Sequence, residues 1–353
     1  MLSDNMLACV LTKYSHFEWK EVPMPEMTET DVLVKVSYAS ICGSDQHIFV
    51  GGFHPRTRLP LIVGHEVAGT IVEVGSKVDS FQPGQMVAVD PIIWCGKCPA
   101  CRIGHYPACP SLKLIGIDLD GGFAEYIAVK SGMLYKIPPG VKAQHACLVE
   151  VLAIGFHACN RAQVGSSDSI VIWGAGKLGQ CILQAARTKT KGAIFIVDIL
   201  EERLALAKKT HPQVITINAL KEDPVVVVRK HTNGAGTDIA FEAVGHAHTI
   251  EGRVNPVRGC IQSIRGAGTV CVLGLHDEPA PVVFKELIWK EAKIIASRVS
   301  HGEFAEAIEN LVRGTLRPDM LISKVLPAGK VQEAFEMLEQ APSEYVKILL
   351  DFN

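Results

Sequence analysis

No stretch of the 353-residue chain approaches the roughly 20 consecutive apolar residues that a membrane-spanning helix requires. The start, Met1-Leu2-Ser3-Asp4-Asn5, has neither a basic segment nor an apolar core, so no secretory signal is expected and the location is read as cytoplasmic. There is no surplus of positive charge: 35 Lys and Arg stand against 37 Asp and Glu, a formal net charge of -2. Without a basic footprint, nucleic acid is not an expected partner. Internal repeats, low-complexity tracts and long linkers are also missing. What is present is apolar material: 48% of residues are hydrophobic, enough for a substantial core in one large or two medium domains.

Cysteine is abundant, with eleven residues. Six of them, Cys9, Cys147, Cys159, Cys181, Cys260 and Cys271, sit in apolar stretches and read as small buried hydrophobes. Four others fall at metal spacing: Cys95, Cys98 and Cys101 form two overlapping CxxC steps, and Cys109 follows after seven residues. Four thiolates at such spacing make a closed tetrahedral site with no open position, so the zinc expected there is structural rather than catalytic. Pro99, Gly104, Pro107 and Pro110 mark a loop held by metal rather than by a core. The remaining cysteine, Cys42, opens Cys42-Gly43-Ser44-Asp45-Gln46-His47, and Gly64-His65-Glu66 follows shortly. A thiolate, an imidazole and a carboxylate are ligands of zinc that performs chemistry. Any one of them alone would be read as a buried structural side chain. The set, close to a second zinc pattern, is read as a metal site that the fold brings together.

The first third of the chain predicts short strands and loops: Leu7 to Leu11, Val32 to Tyr38, the glycine-bounded Gly69 to Gly75, and Gln85 to Val89 after the Pro83-Gly84 turn. No helical period is visible there. From about Gln144 to Ala162 the apolar period becomes helical. Ser169 to Trp173 is then a continuous apolar run, as a buried parallel strand requires, and Gly174-Ala175-Gly176-Lys177-Leu178-Gly179 follows at once. Between strand and helix, and with the acidic Asp198 about 20 positions on, this GxGxxG reads as a dinucleotide fingerprint. Gly174 gives the tight turn, Gly176 admits the pyrophosphate at the helix N-terminus, and Gly179 allows close helix–strand packing. Strands and helices continue to alternate through Gly268 to Leu275, predicting a doubly wound α/β sheet, with a helix at Glu303 to Val312 and a last strand at Tyr345 to Leu350.

Cys42 followed by His47, then Gly-His-Glu at 64–66, Gly69, Gly75 and Val78, then the four-cysteine lobe, resembles the zinc-containing medium-chain alcohol and polyol dehydrogenase family, and within it the sorbitol and threonine dehydrogenases. The resemblance covers nearly the whole chain. It implies a Rossmann domain inserted in a mostly-β, GroES-like catalytic domain, with boundaries at 1–151 (zinc lobe at 90–112), 152–290 and 291–353. It implies two zinc ions per chain, one catalytic and one structural, NAD as cofactor, and assembly into a homo-oligomer, tetramer or dimer. Cys42 and His65 would hold the catalytic zinc, with Glu66 as a third ligand, direct or in exchange with water, and Glu150 as the fourth group. Glu150 lies in an apolar helical stretch where an unpaired carboxylate is costly. The polyol branch usually has proline after that glutamate, and Val151 stands here.

The same resemblance makes Ser44 and His47 a proton relay. It places Asp198 on the adenosine ribose with Arg203 beside it. Leu273, Gly274, Leu275, Ala296, Ser297 and Arg298 then flank the nicotinamide, with Arg298 also near substrate. The expected reaction is hydride transfer to NAD from a secondary alcohol of a small polyol, sugar acid or hydroxy amino acid, with zinc lowering the pKa of the reacting hydroxyl. Sorbitol dehydrogenases carry tyrosine after the relay histidine, where this chain has Ile48. Two other readings compete. A zinc-free quinone or enoyl reductase on the same fold would lack Cys42, His65 and the lobe. A non-catalytic zinc-binding structural protein would have no need of the complete ligand set.

Overall fold

The structure, a computed structural model, describes residues 3–245, 252–275 and 279–353. Met1 and Leu2, part of the start read above for a secretory signal, lie outside them. No described helix is long and apolar enough to cross a membrane. By its contacts the chain divides into two units: Met1–Val151 with Phe304–Gly314 and Leu321–Asn353, and Leu152–Glu303 with Thr315–Met320.

The second unit is built on a six-stranded parallel sheet. In spatial order its strands are Ile215–Asn218, Ile194–Asp198, Ile170–Trp173, Thr237–Glu242, Ile264–Val272 and Lys293–Ala296. The strands Ile170–Trp173 and Ile194–Asp198 are buried along their whole length. That is why they read as unbroken apolar runs rather than alternating ones. Val171, Trp173, Phe195, Val197, Ala240 and Ile261 fill the core between this sheet and the helix Pro256–Ser263. The valine-rich segment after Asp223 is the helix Pro224–His231. Proline occupies its first turn, and the Asp223 carboxylate accepts the backbone N–H groups of Val225 (2.8 Å) and Val226 (3.3 Å), a cap that outweighs β-branched propensity. The boundary expected at 290 needs correction. Lys293–Ala296 is the sixth strand of this sheet, and the unit runs on to Glu303. That edge strand is short and largely exposed, so it carries no buried-strand signal.

The first unit is mostly β. Its larger sheet orders Leu134–Lys136, Met86–Val89, Glu66–Val74, Asp31–Ser40, Lys347–Asp351 and Ile322–Pro327, with Tyr126–Lys130 also pairing to Asp31–Ser40. The C-terminal strand Lys347–Asp351 thus pairs antiparallel with a strand from the first forty residues. This closes one sheet from both ends of the chain and makes the parallel unit an insertion. The register sets Glu66 opposite Ser40, so Cys42 and His65, which flank that pair, are held side by side. One helix in this unit, Gly43–Phe49, was not expected; seven residues are too few to show a period.

Candidate active site and dinucleotide crevice

Cys42 sits at the N-cap of the helix Gly43–Phe49, and its backbone N–H donates to Asp45 Oδ2 at 2.8 Å. Ser44 and His47 are three residues apart and so share a helical face. The Cys42 thiol lies 3.9 Å from Ser44 Oγ, while His47 is exposed and stacks on Phe53 with ring centroids 5.8 Å apart. Gly64 turns the chain ahead of His65 at φ +98°. A Cβ there would stand 2.1 Å from the Phe123 ring, so glycine is required on both steric counts.

One ligand atom each from Cys42, His65 and Glu66 lies within 4.8 Å of the others. His65 is 5% exposed and Glu66 fully buried. His65 Nδ1 stands 3.2 Å from Asp45 Oδ1. Burial alone would lower the His65 pKa, but the Asp45 carboxylate and then Cys42 outweigh it and raise the pKa well above the ordinary value. Glu66 Oε1 pairs with the ammonium of Lys347, a residue itself buried in the strand Lys347–Asp351. Glu66 Oε2 has no partner, and neither does Glu150 Oε2. Buried carboxyl oxygens left without a partner, beside a thiol and an imidazole, are the donor set a zinc ion takes. Glu150 is buried yet lies outside the three-residue set. Burial raises its carboxyl to about 8, with His65 opposing the shift and Glu66 reinforcing it.

The second cluster brings Cys95, Cys98, Cys101 and Cys109 together with all four sulfurs within 4.8 Å. Backbone N–H groups point at sulfur: Cys101 N donates to Cys98 Sγ (3.4 Å) and Cys95 N to Cys109 Sγ (3.5 Å). The N–H groups of Lys97 and Cys98 lower the Cys95 thiol to about 6, favouring thiolate. The other six cysteines are all buried, as expected of small hydrophobes.

In the parallel unit the glycine turn is sterically dictated. Gly174 has φ +99°, and a Cβ on Gly179 would stand 1.8 Å from Gly174 O. Gly176 caps the helix Lys177–Lys189, whose first turn carries the half-buried Leu178. A Cβ on Gly176 would meet nothing nearer than Arg203 Nη1 at 3.7 Å, so the space over this helix end is open. Asp198 ends its strand and pins the turn. Its Oδ2 accepts the Ala175 N–H (2.7 Å), its Oδ1 accepts those of Ile199 (2.7 Å) and Leu200 (3.0 Å), and Arg203 Nη1 is 3.9 Å away. Leu273 is buried, Gly274 follows it, and Leu275 is 77% exposed. Ser297 is buried and donates its N–H to Val272 O (3.0 Å), whereas Ala296 and Arg298 are exposed. Val299, next to Arg298, holds φ +50°, costly for a β-branched residue.

Two family models match this chain: the alcohol dehydrogenase GroES-like domain over residues 28–139 and the zinc-binding dehydrogenase over residues 178–313. A sorbitol dehydrogenase from Bacillus subtilis is 30% identical over 351 residues, 98% of this chain and 97% of its own. An L-threonine 3-dehydrogenase from Pyrococcus horikoshii is 34% identical over 360 aligned positions, 99% of this chain and all of its own. The chain belongs to the zinc-type alcohol dehydrogenases. Among solved structures, an alcohol dehydrogenase from Escherichia coli complexed with NADH matches this zinc-type dehydrogenase with a TM-score of 0.90 at 29% identity, covering 99% of this chain and all of that one.

Sequence reasoning missed two buried residues of this dehydrogenase's metal region. Asp45 accepts the Cys42 backbone N–H and stands 3.2 Å from the His65 ring, and Lys347 compensates Glu66. Both left a signal. Asp45 is three residues past an N-cap, where an acid stabilises the first turn, and Lys347 is a charge inside the otherwise apolar Val346 to Leu350.

Proposed function

We propose that the protein oxidises a secondary alcohol of a polyol, sugar acid or hydroxy amino acid, using zinc and NAD. The observation that carries this is the buried Cys42–His65–Glu66 set with its unpartnered carboxylate oxygen. Cys42 and His65 hold the zinc, with Glu66 or Glu150 completing its shell. Bound there, zinc supplies Lewis acidity toward an alcohol oxygen, and the nicotinamide supplies the hydride acceptor. The chain's own groups do the rest. Asp45 orients the His65 ring, as a carboxylate behind a ligand histidine does. Ser44 receives the hydroxyl proton within the relay and the exposed His47 passes it to solvent. Cys95, Cys98, Cys101 and Cys109 hold a second, structural zinc. Gly174, Gly176, Leu178 and Gly179 receive the pyrophosphate, Asp198 and Arg203 the adenosine ribose, and Leu273, Gly274, Leu275, Ala296, Ser297 and Arg298 the nicotinamide end. Support for a homo-oligomer comes from Phe284, Ile288 and Trp289, each at least 70% exposed, next to the edge strand Lys293–Ala296, whose outer side pairs with no strand among the described residues. Sedimentation would reveal a lone monomer if this is wrong.

NAD should be preferred to NADP by roughly a hundredfold or more, because a 2′-phosphate would meet the Asp198 carboxylate in a partly desolvated crevice. Three backbone N–H groups hold that carboxylate in place, although Arg203 moderates its charge. Equal kcat/KM for the two cofactors would refute the argument.

The substrate reading rests on Glu150 and Arg298, which offer a carboxyl and a two-pronged cation to a substrate with several oxygens. Ile48 is fully buried, so the position expected to lack a substrate hydroxyl contact belongs to the core. NADH formation is to be measured with sorbitol, an aldonate, an inositol, threonine and a primary alcohol, on the wild type and Arg298→Ala. A vicinally hydroxylated substrate should lead, and Arg298→Ala should lower its kcat/KM. A primary alcohol as best substrate would overturn the pocket reading, and an Arg298→Ala variant with every rate unchanged would remove Arg298 from it.

A further inference from the structure

Glu242 ends the strand Thr237–Glu242 and pairs in register with Trp173, the residue before Gly174. The strand order of the parallel sheet reverses between these two strands, and in such sheets ligands bind in the crevice at that switch point. The Glu242 side chain is fully buried, where an uncompensated carboxylate is costly. No cation among the described residues pairs with it. Instead three backbone N–H groups donate to it: Val244 (2.9 Å) and Gly245 (3.3 Å) to Oε1, and Gly274 (3.2 Å) to Oε2. These donors belong to two loops, one following its own strand and one following Ile264–Val272. The Glu242 carbonyl also accepts from Leu273 (2.9 Å) and Gly274 (3.2 Å). The fit is close: a Cβ on Gly274 would stand 2.4 Å from Glu242 Oε2. The side chain accepts every one of these bonds and donates none of them.

We infer that Glu242 is a positioning residue that also sets redox-state specificity: its buried negative charge holds the backbone of Val244, Gly245 and Gly274 at the switch point and favours the oxidised cofactor over the reduced one. The inference rests on the dinucleotide reading above. The oxidised nicotinamide ring carries a positive charge and the reduced ring is neutral, so a fixed carboxylate in a water-poor crevice attracts only the former. Loop ordering, by contrast, serves both forms alike. A charge effect therefore appears as a change in the ratio of the two affinities, which a purely structural role would leave alone.

The test is equilibrium binding of NAD+ and NADH, without substrate, to zinc-loaded wild type, Glu242→Gln and Glu242→Asp. Failure of the wild type to bind either cofactor would sink the dinucleotide reading itself. Given binding, Glu242→Gln should weaken NAD+ by roughly three- to tenfold more than NADH. Equal factors for both cofactors, or no change in either, would overturn the inference. Glu242→Asp keeps the charge but draws it back by one methylene, so both affinities should fall together with their ratio held within about twofold. If the Gln variant does not fold, the Asp variant keeps the inference falsifiable, since a ratio moved as far as about threefold contradicts it.

Discussion

Lys347→Met should lower the free energy of unfolding by about 3–5 kcal/mol, the usual cost of leaving one member of a buried ion pair uncompensated. Lys347 is 1% exposed and Glu66 fully buried, so water cannot take over the lost contact. The ammonium also reaches the Ile41 carbonyl at 3.5 Å, one residue before Cys42, so the ligand-bearing segment loses a tether as well. Glu66→Gln alone should cost a comparable amount, because it strands the lysine. The double variant should recover most of the loss, since two neutral side chains need no mutual compensation. Denaturant unfolding of the four proteins closes the cycle. Strictly additive losses would show that the two residues do not stabilise each other.

Cys98→Ser should damage folding more than catalysis. The lobe around Cys95 to Cys109 has little to replace its metal: its regular structure is the short helix Pro99–Arg102, the single 3₁₀ turn Tyr106–Ala108 and a two-stranded ribbon, Ile92–Ile93 with Lys113–Leu114. A structural zinc supplies folding free energy on the order of 10 kcal/mol in small zinc domains. Losing one thiolate should therefore destabilise this region by about 3 kcal/mol or more. The readout is thermal unfolding alongside zinc content. A variant with one zinc fewer and an unchanged melting temperature would show that the lobe folds without its metal.

The parallel sheet was legible because burial on both faces forces apolar runs, and because GxGxxG placed between strand and helix leaves few alternatives. The steric need at Gly179, 1.8 Å from Gly174 O, is the physical content of that motif. The two side-chain clusters that could hold a metal ion were legible from residue type. Their compensating groups were less so, since compensation depends on which strands pair. Glu66 meets Lys347 only because the last strand joins the sheet beside Asp31–Ser40. The sixth parallel strand escaped because it is short and exposed, and Gly43–Phe49 because seven residues cannot display a helical period. Ile48 illustrates the same limit: a position that the resemblance matched to a substrate contact is a buried residue.

The central claim is one open and one closed zinc site in each chain. Elemental analysis of fully loaded wild type and of His65→Ala, run beside NADH formation, tests it most directly. The expected result is two zinc ions in the wild type and one in a folded, inactive His65→Ala. Mild chelation of the wild type should likewise abolish activity before the protein unfolds. A single zinc in fully loaded wild type, or undiminished alcohol oxidation by His65→Ala, would contradict the account.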